Sequence, residues 1–299
     1  MVSDASRPFR FGVVMIGDVT ASWADRCRRA ETLGFDTVLV ADHLGRPGPF
    51  AALGAAAVAT ERARVGTFVL NAAFHDPLLL AREVATLDAL SGGRVELGLG
   101  AGYVRSEFDA LGLRYGTAGE RLDGLEEFLD RLAPLLADST AVQRPIPLFL
   151  GGNGNRMLRL AARRAQIVGF SGTTTDRDGR LSLIGGSDYA DRVRHARAEA
   201  GDRAEEIEWN ALLQVVEITD DREGRAEEVR RERAPHLTLD EFLAAPTVLV
   251  GSAEEMATEL DTRRRDLGLS YITVLEPAME SMAQVRSALV STQWGYHPT

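Results

Sequence analysis

The stretch VGTFVLNAAFHDPLLLAREVATLDALSGGRVELGLGAGY, residues 65–103, passes through strand, turn, helix and strand in one sweep. Residues 65–70 are mostly apolar or β-branched and read as a buried strand. The turn Phe74-His75-Asp76-Pro77 leads into a helix-period segment at 78–90, which Ser91-Gly92-Gly93 stops. Residues 94–99 then form a second apolar strand. Two strands joined by one crossover helix make the parallel β/α unit.

The same alternation runs outward in both directions. Strands are expected at 9–15, 37–40, 146–150, 166–170, 207–218 and 271–275, and helices at 22–33, 50–60, 118–136, 156–164, 188–200, 221–233 and 254–267. Eight strands, most followed by a helix, predict an α/β chain folded as one (β/α)₈ TIM barrel over residues 1–299. An open dinucleotide-binding sheet would carry Gly-x-Gly-x-x-Gly after its first strand, whereas VVMIGDVTASW (13–23) holds the single Gly17. The glycine-rich DRDGRLSLIGGS (176–187) reads as a long loop after strand six. The charged residues 221–246 read as a helical insertion in the C-terminal half.

Composition removes several chemistries. All 34 cationic side chains are arginine, so neither a Schiff-base lysine nor a P-loop lysine exists here. A formal charge of −10 without a basic stripe argues against nucleic-acid binding. The lone Cys27 excludes intrachain disulfides and cysteine-rich metal sites, and no metal is expected. The N-terminus shows no signal peptide and no apolar run is long enough to span a membrane, so a cytoplasmic protein is expected.

Barrel enzymes carry their sites on the loops after the strands. Those tips hold Asp42-His43, Asn71, the glycines of 98–103 and 151–154, Ser171 and Glu276. Gly98, Gly100 and Gly102 alternate, so one face of that strand lacks side chains; a flat ligand or tight barrel packing would each require this. Gly151-Gly152-Asn153-Gly154 precedes a helix, which makes either a phosphate cradle or an ordinary β/α turn capped by asparagine. Asp42-His43 is either a helix cap with a structural histidine or the working end of a site.

The 65–103 block and PIPLFLGGNGNRMLRLAARRAQIVGF (145–170) together closely resemble the bacterial luciferase-like superfamily of flavin and deazaflavin oxidoreductases. VLVGSAEEMATEL and LGLSYITVL match its C-terminal unit, so the resemblance covers nearly the whole chain. It implies an enzyme of the branch using coenzyme F420, with FMN as the alternative cofactor. His43 is then the proton donor or acceptor, and Asp42 contacts the ring or orients the imidazole. The resemblance further implies a non-prolyl cis peptide at Phe68-Val69, followed by Leu70-Asn71, whose bulge backs the ring. Phe68 stands where the family commonly has a small residue. Gly100, Gly102 and Tyr103 would lie near the ring or ribityl chain, Ser106 near ribityl or phosphate oxygens, Gly151, Gly152, Asn153 and Gly154 at the phosphate, and Phe170 at the pocket edge.

His75 and Glu107 are read as structural, with Arg121 the partner type for Glu107, and Gln214, Glu217 and Glu276 as substrate-side candidates. Three functions follow from the resemblance. The first is hydride transfer between the deazaflavin C5 and a small organic substrate. The second is an FMN monooxygenase fed by a partner reductase, and the third a non-catalytic flavin-binding barrel. A homodimer and a separate F420 or flavin reductase are the expected partners.

Overall fold

In the computed structural model, which describes residues 7–175 and 181–293, the chain runs as follows. The first half contains β1 (Arg10–Met15), α1 (Trp23–Thr32), β2 (Thr37–Val40), α2 (Pro49–Ala59), β3 (Arg64–Thr67), β4 (Leu70–Asn71), α3 (Pro77–Ser91), β5 (Val95–Gly100), α4 (Arg105–Ala110) and α5 (Ala118–Ala137). Next come β6 (Leu148–Gly151), α6 (Asn155–Arg164), β7 (Ile167–Phe170), β8 (Thr173–Thr175), β9 (Leu181–Leu183), α7 (Gly186–Ala200) and β10 (Glu208–Leu213). The last part is β11 (Val215–Ile218), α8 (Arg222–Arg233), α9 (Leu239–Leu243), β12 (Val248–Gly251), α10 (Ala253–Leu267), β13 (Leu269–Leu275) and α11 (Met279–Gln293).

The main sheet has the order β3-β2-β1-β13-β10-β7-β6-β5-β4, and β3 also pairs with β5, which closes the ring. Since β3 and β4 are two halves of one strand, the result is the expected eight-stranded parallel barrel. Local chemistry sets the helix ends. Asp76 accepts from Leu78 N and Leu79 N to start α3, and Gly92, at φ 66°, stops it. Capping boxes Thr117/Glu120 and Ser252/Glu255 start α5 and α10. None of the described helices is long and apolar enough to cross a membrane.

At the N-terminal end the barrel is plugged by ions. Arg10 pairs with Glu96 and Glu208, Arg64 Nε lies 2.6 Å from Glu96 Oε1, and the Arg10 guanidinium sits 3.8 Å from the Tyr271 ring centre. Buried Glu96 is thereby fully engaged, and the C-terminal end is left to carry function.

Three expectations need correction. Residues 207–218, read as one strand, are two: β10 stays in the barrel, then Gln214 N and Val215 N both turn to Thr247 O and β11 pairs with β12 outside it. That small sheet, with α8 and α9, encloses its own apolar cluster around Phe242, Val229 and Val248. A continuous β-branched run carries no mark of the point where its partner changes. The long loop after strand six contains an antiparallel hairpin, β8–β9, with 176–180 outside the described residues. The described residues also close with a helix, α11, which the strand–helix reading stopped short of.

Candidate active site

A cavity of about 1140 Å³ opens at the C-terminal end of the barrel. Asp42, His43, Phe68, Val69, Asn71, Gly100, Gly102, Tyr103, Gly151, Gly152, Asn153, Gly154 and Phe170 all line it. Ser106 does not. It is exposed on α4, because Glu107 and Phe108 take the inward face of that turn.

The cavity floor is the break between β3 and β4, where the Phe68–Val69 peptide is cis. The Phe68 ring turns into the barrel and packs 5.0 Å from Phe149, in a cluster with Ile167 and Tyr271. A large residue therefore fits at this position by filling barrel core. The alternating glycines serve this break. A Cβ on Gly98 would lie 2.0 Å from Thr67 O, one on Gly100 2.9 Å from Val69 Cγ2, and one on Gly102 2.4 Å from Asn71 Nδ2. Their missing side chains admit the neighbouring strand, which in turn shapes the floor. Gly102 also has φ +72°, a backbone conformation open to glycine at no steric cost.

Two histidine–carboxylate pairs stand at the mouth. His43 Nδ1 lies 2.9 Å from Glu107 Oε1, which also accepts from Leu44 N at 3.0 Å. A carboxylate only accepts, so His43 Nδ1 carries the hydrogen and Nε2 is the ring atom left for a ligand. Tyr103 stands edge-on to His43 at 5.8 Å, and burial beside Glu107 pushes its hydroxyl pKa upward. Asp42 holds the second pair: its Oδ2 lies 2.9 Å from His75 Nε2 and accepts from Asn71 N at 3.2 Å. Asp42 thus anchors the backbone just after the floor. The imidazole orienter is Glu107, which the sequence reading took as structural. Arg121, expected as its partner type, instead donates to Gly102 O at 3.0 Å and Gly116 O at 3.2 Å.

The opposite wall holds the start of α6. Gly154 is its N-cap, makes no side-chain cap bond, and has open space where a Cβ would stand. Asn153 is committed elsewhere: it accepts from the Ser171 hydroxyl and Arg192 Nη1 and donates to Thr173 Oγ1 at 3.3 Å. The first N–H groups of α6 are therefore not capped by asparagine, and with the positive helix end they are open to an anion. Asn71 Nδ2 is a second open group, buried without a partner in the cavity wall.

Other candidates resolve differently. Phe170 is buried against Tyr189 and Trp209 and shows an edge to the cavity. Gln214 lines the cavity and donates to Ser171 O at 3.2 Å. Glu217 leaves the barrel on β11 and pairs with Arg225. Glu276 turns back to Ile16 N, Gly17 N and Arg26. Burial lifts the Cys27 thiol to about 12, in keeping with an inert core residue. Glu107 was the miss, since its partner is His43. A carboxylate in the first turn of the helix after the glycine strand was the one available signal for Glu107, and nothing local marked the reach of His75 to Asp42.

Fold and cleft together define a class: a (β/α)₈ barrel whose mouth has a bulged floor, an uncapped helix start and a histidine held by a carboxylate. The model of the luciferase-like monooxygenase family matches residues 12–231, and the chain belongs to that family. It is 34% identical to the F420-dependent glucose-6-phosphate dehydrogenase of Microbacterium testaceum, over 51% of this chain and about half (52%) of that one. It is 29% identical to the enzyme of the same name from Amycolatopsis mediterranei, over 87% of this chain and 83% of that one. The coenzyme F420-dependent tetrahydromethanopterin reductase of Methanopyrus kandleri shares the fold, with a TM-score of 0.71 at 18% identity over 96% of this chain and 99% of that one.

Proposed function

We propose that the chain is an F420-dependent oxidoreductase in which His43 moves the proton that accompanies hydride transfer to or from a small organic substrate. The carrying observation is the His43–Glu107 pair, held at 2.9 Å on the wall of the same cavity that contains the bulged floor and the open start of α6. The names of its relatives support the cofactor, and the cleft fits one that is flat and phosphate-bearing: the uncapped N–H groups of α6 suit the phosphate, and unpartnered Asn71 Nδ2 can donate to the ring or its chain. F420, when bound, supplies the hydride chemistry.

The protein's own part is orientation and proton handling. Glu107 fixes the hydrogen on His43 Nδ1, so Nε2 exchanges the proton with the substrate and Glu107 stabilises the imidazolium. Asp42, tied to His75, holds the floor through Asn71 N. The other calls complete the reading: a cytoplasmic enzyme served by a separate reductase, and a homodimer, consistent with exposed Val58, Leu78 and Leu79 on the adjacent helices α2 and α3.

His43→Ala tests the role. F420 affinity should stay near wild type while turnover falls by about 10²–10⁴-fold; full turnover in the variant would overturn it. The family's monooxygenase designation supports a second reading, reduced FMN with oxygen. Oxygen uptake with reduced FMN, absent with F420, would decide for it.

A further inference from the structure

The cavity mouth has two unlike halves. The neighbouring strands β7, β6 and β5 present Gly169, Gly151 and Gly100 to it. The neighbouring strands β10, β13 and β1 present Leu212, Leu275 and Val14, with Ile16 just beyond β1. Val14 is paired in register with Leu275, so these two side chains share the inward face with Leu212 as an aliphatic wall, whereas the alternate residues Met15 and Val40 turn outward into the core beneath the helices.

Charge divides the same way. Arg105, Arg121, Arg156 and Arg192 stand on α4, α5, α6 and α7, the helices that follow the glycine-bearing strands. Beside the aliphatic wall the cavity has one cation among the described residues, Arg46, which is exposed at the rim and donates to Ile16 O at 3.0 Å. Glu276 is turned away from this wall onto Ile16 N and Gly17 N, each at 3.1 Å. An open polar atom of the cavity lining on the wall's strands is Asn210 Oδ1, a buried neutral acceptor that repels phosphate oxygens.

We infer that the substrate is a neutral organic compound with an apolar body, seated on the Val14–Leu212–Leu275 wall, and not a sugar phosphate. This rests on the reading that the glycine half holds F420, which leaves the aliphatic half to the substrate. A phosphorylated sugar seated on that wall would bury its dianion against leucine and valine.

The test titrates F420-loaded protein with the methyl ketones butanone, pentanone, hexanone and heptanone, and separately with glucose 6-phosphate, reading the fluorescence of bound F420. Affinity should tighten about fourfold per added methylene, as burial of apolar surface requires, and glucose 6-phosphate should give no saturable change. Leu212→Asp should abolish the chain-length dependence while F420 affinity holds. Ketone affinity independent of chain length, or saturable binding of glucose 6-phosphate, would overturn the inference. Failure of F420 to bind at all is seen before any ligand is added; it removes the cofactor reading and this inference with it.

Discussion

Replacing Glu107 with glutamine takes a charge out of the site while leaving its shape almost unchanged. In the native chain Glu107 is buried on α4 and accepts from His43 Nδ1 at 2.9 Å and from Leu44 N at 3.0 Å. A hydrogen bond to a charged acceptor contributes about 1.5–3 kcal/mol and a neutral one about 0.5–1.5 kcal/mol. The bond to His43 therefore loses about 1–1.5 kcal/mol, and the preference for hydrogen on Nδ1 falls roughly tenfold. The amide can also rotate to present its NH₂ to the ring, which removes the lock altogether. Nitrogen NMR of labelled protein reads the tautomer directly, with His43→Ala identifying the signal among the five histidines. Wild type should show His43 almost wholly as the Nδ1–H form, and Glu107→Gln a mixture, with slower turnover and unchanged F420 affinity. An unchanged tautomer in the variant, or joint loss of F420 binding and turnover, would refute the assignment of Glu107 as orienter.

Two further perturbations separate floor from cradle. Asp42→Asn weakens the charged anchor on Asn71 N and His75 Nε2, so F420 affinity should fall and the melting temperature should drop by a few degrees, from about 1–3 kcal/mol of buried bonding; His75→Ala should move both in the same direction by less. Gly154→Asp places an acid at the start of α6, where about 0.3–1 kcal/mol of helix stabilisation is expected, yet it also repels the proposed phosphate. Calorimetry should find the melting temperature held or raised while F420 titration finds weaker binding. A parallel rise in both would remove the phosphate from α6.

The barrel was legible because its signal is periodic. The strands are short apolar runs, and several helices carry their own stop, as at Gly92 after α3 and Gly268 after α10. The cavity residues were legible for a related reason, since barrel geometry sends strand tips to one end, and Asp42, His43 and Asn71 sit on such tips. What escaped were relations between distant residues. The glycines of β5 could be read as space, but not that Val69 and Asn71 would fill it. Asp42 beside His43 in sequence suggested a pair, whereas each found its partner far along the chain, Asp42 with His75 and His43 with Glu107. Ser106 was placed near the cofactor by resemblance, and the α4 helix turns it outward. Adjacent residues on an extended segment point apart, so sequence neighbours are poor guides to side-chain partners.

Equilibrium titration of the purified protein with F420 and, in parallel, with FMN tests the central claim most directly. Saturable binding of F420 with weaker or no binding of FMN, lost in part on Gly154→Asp and retained in His43→Ala, is the expected result. Tight binding of FMN with none of F420 would contradict it.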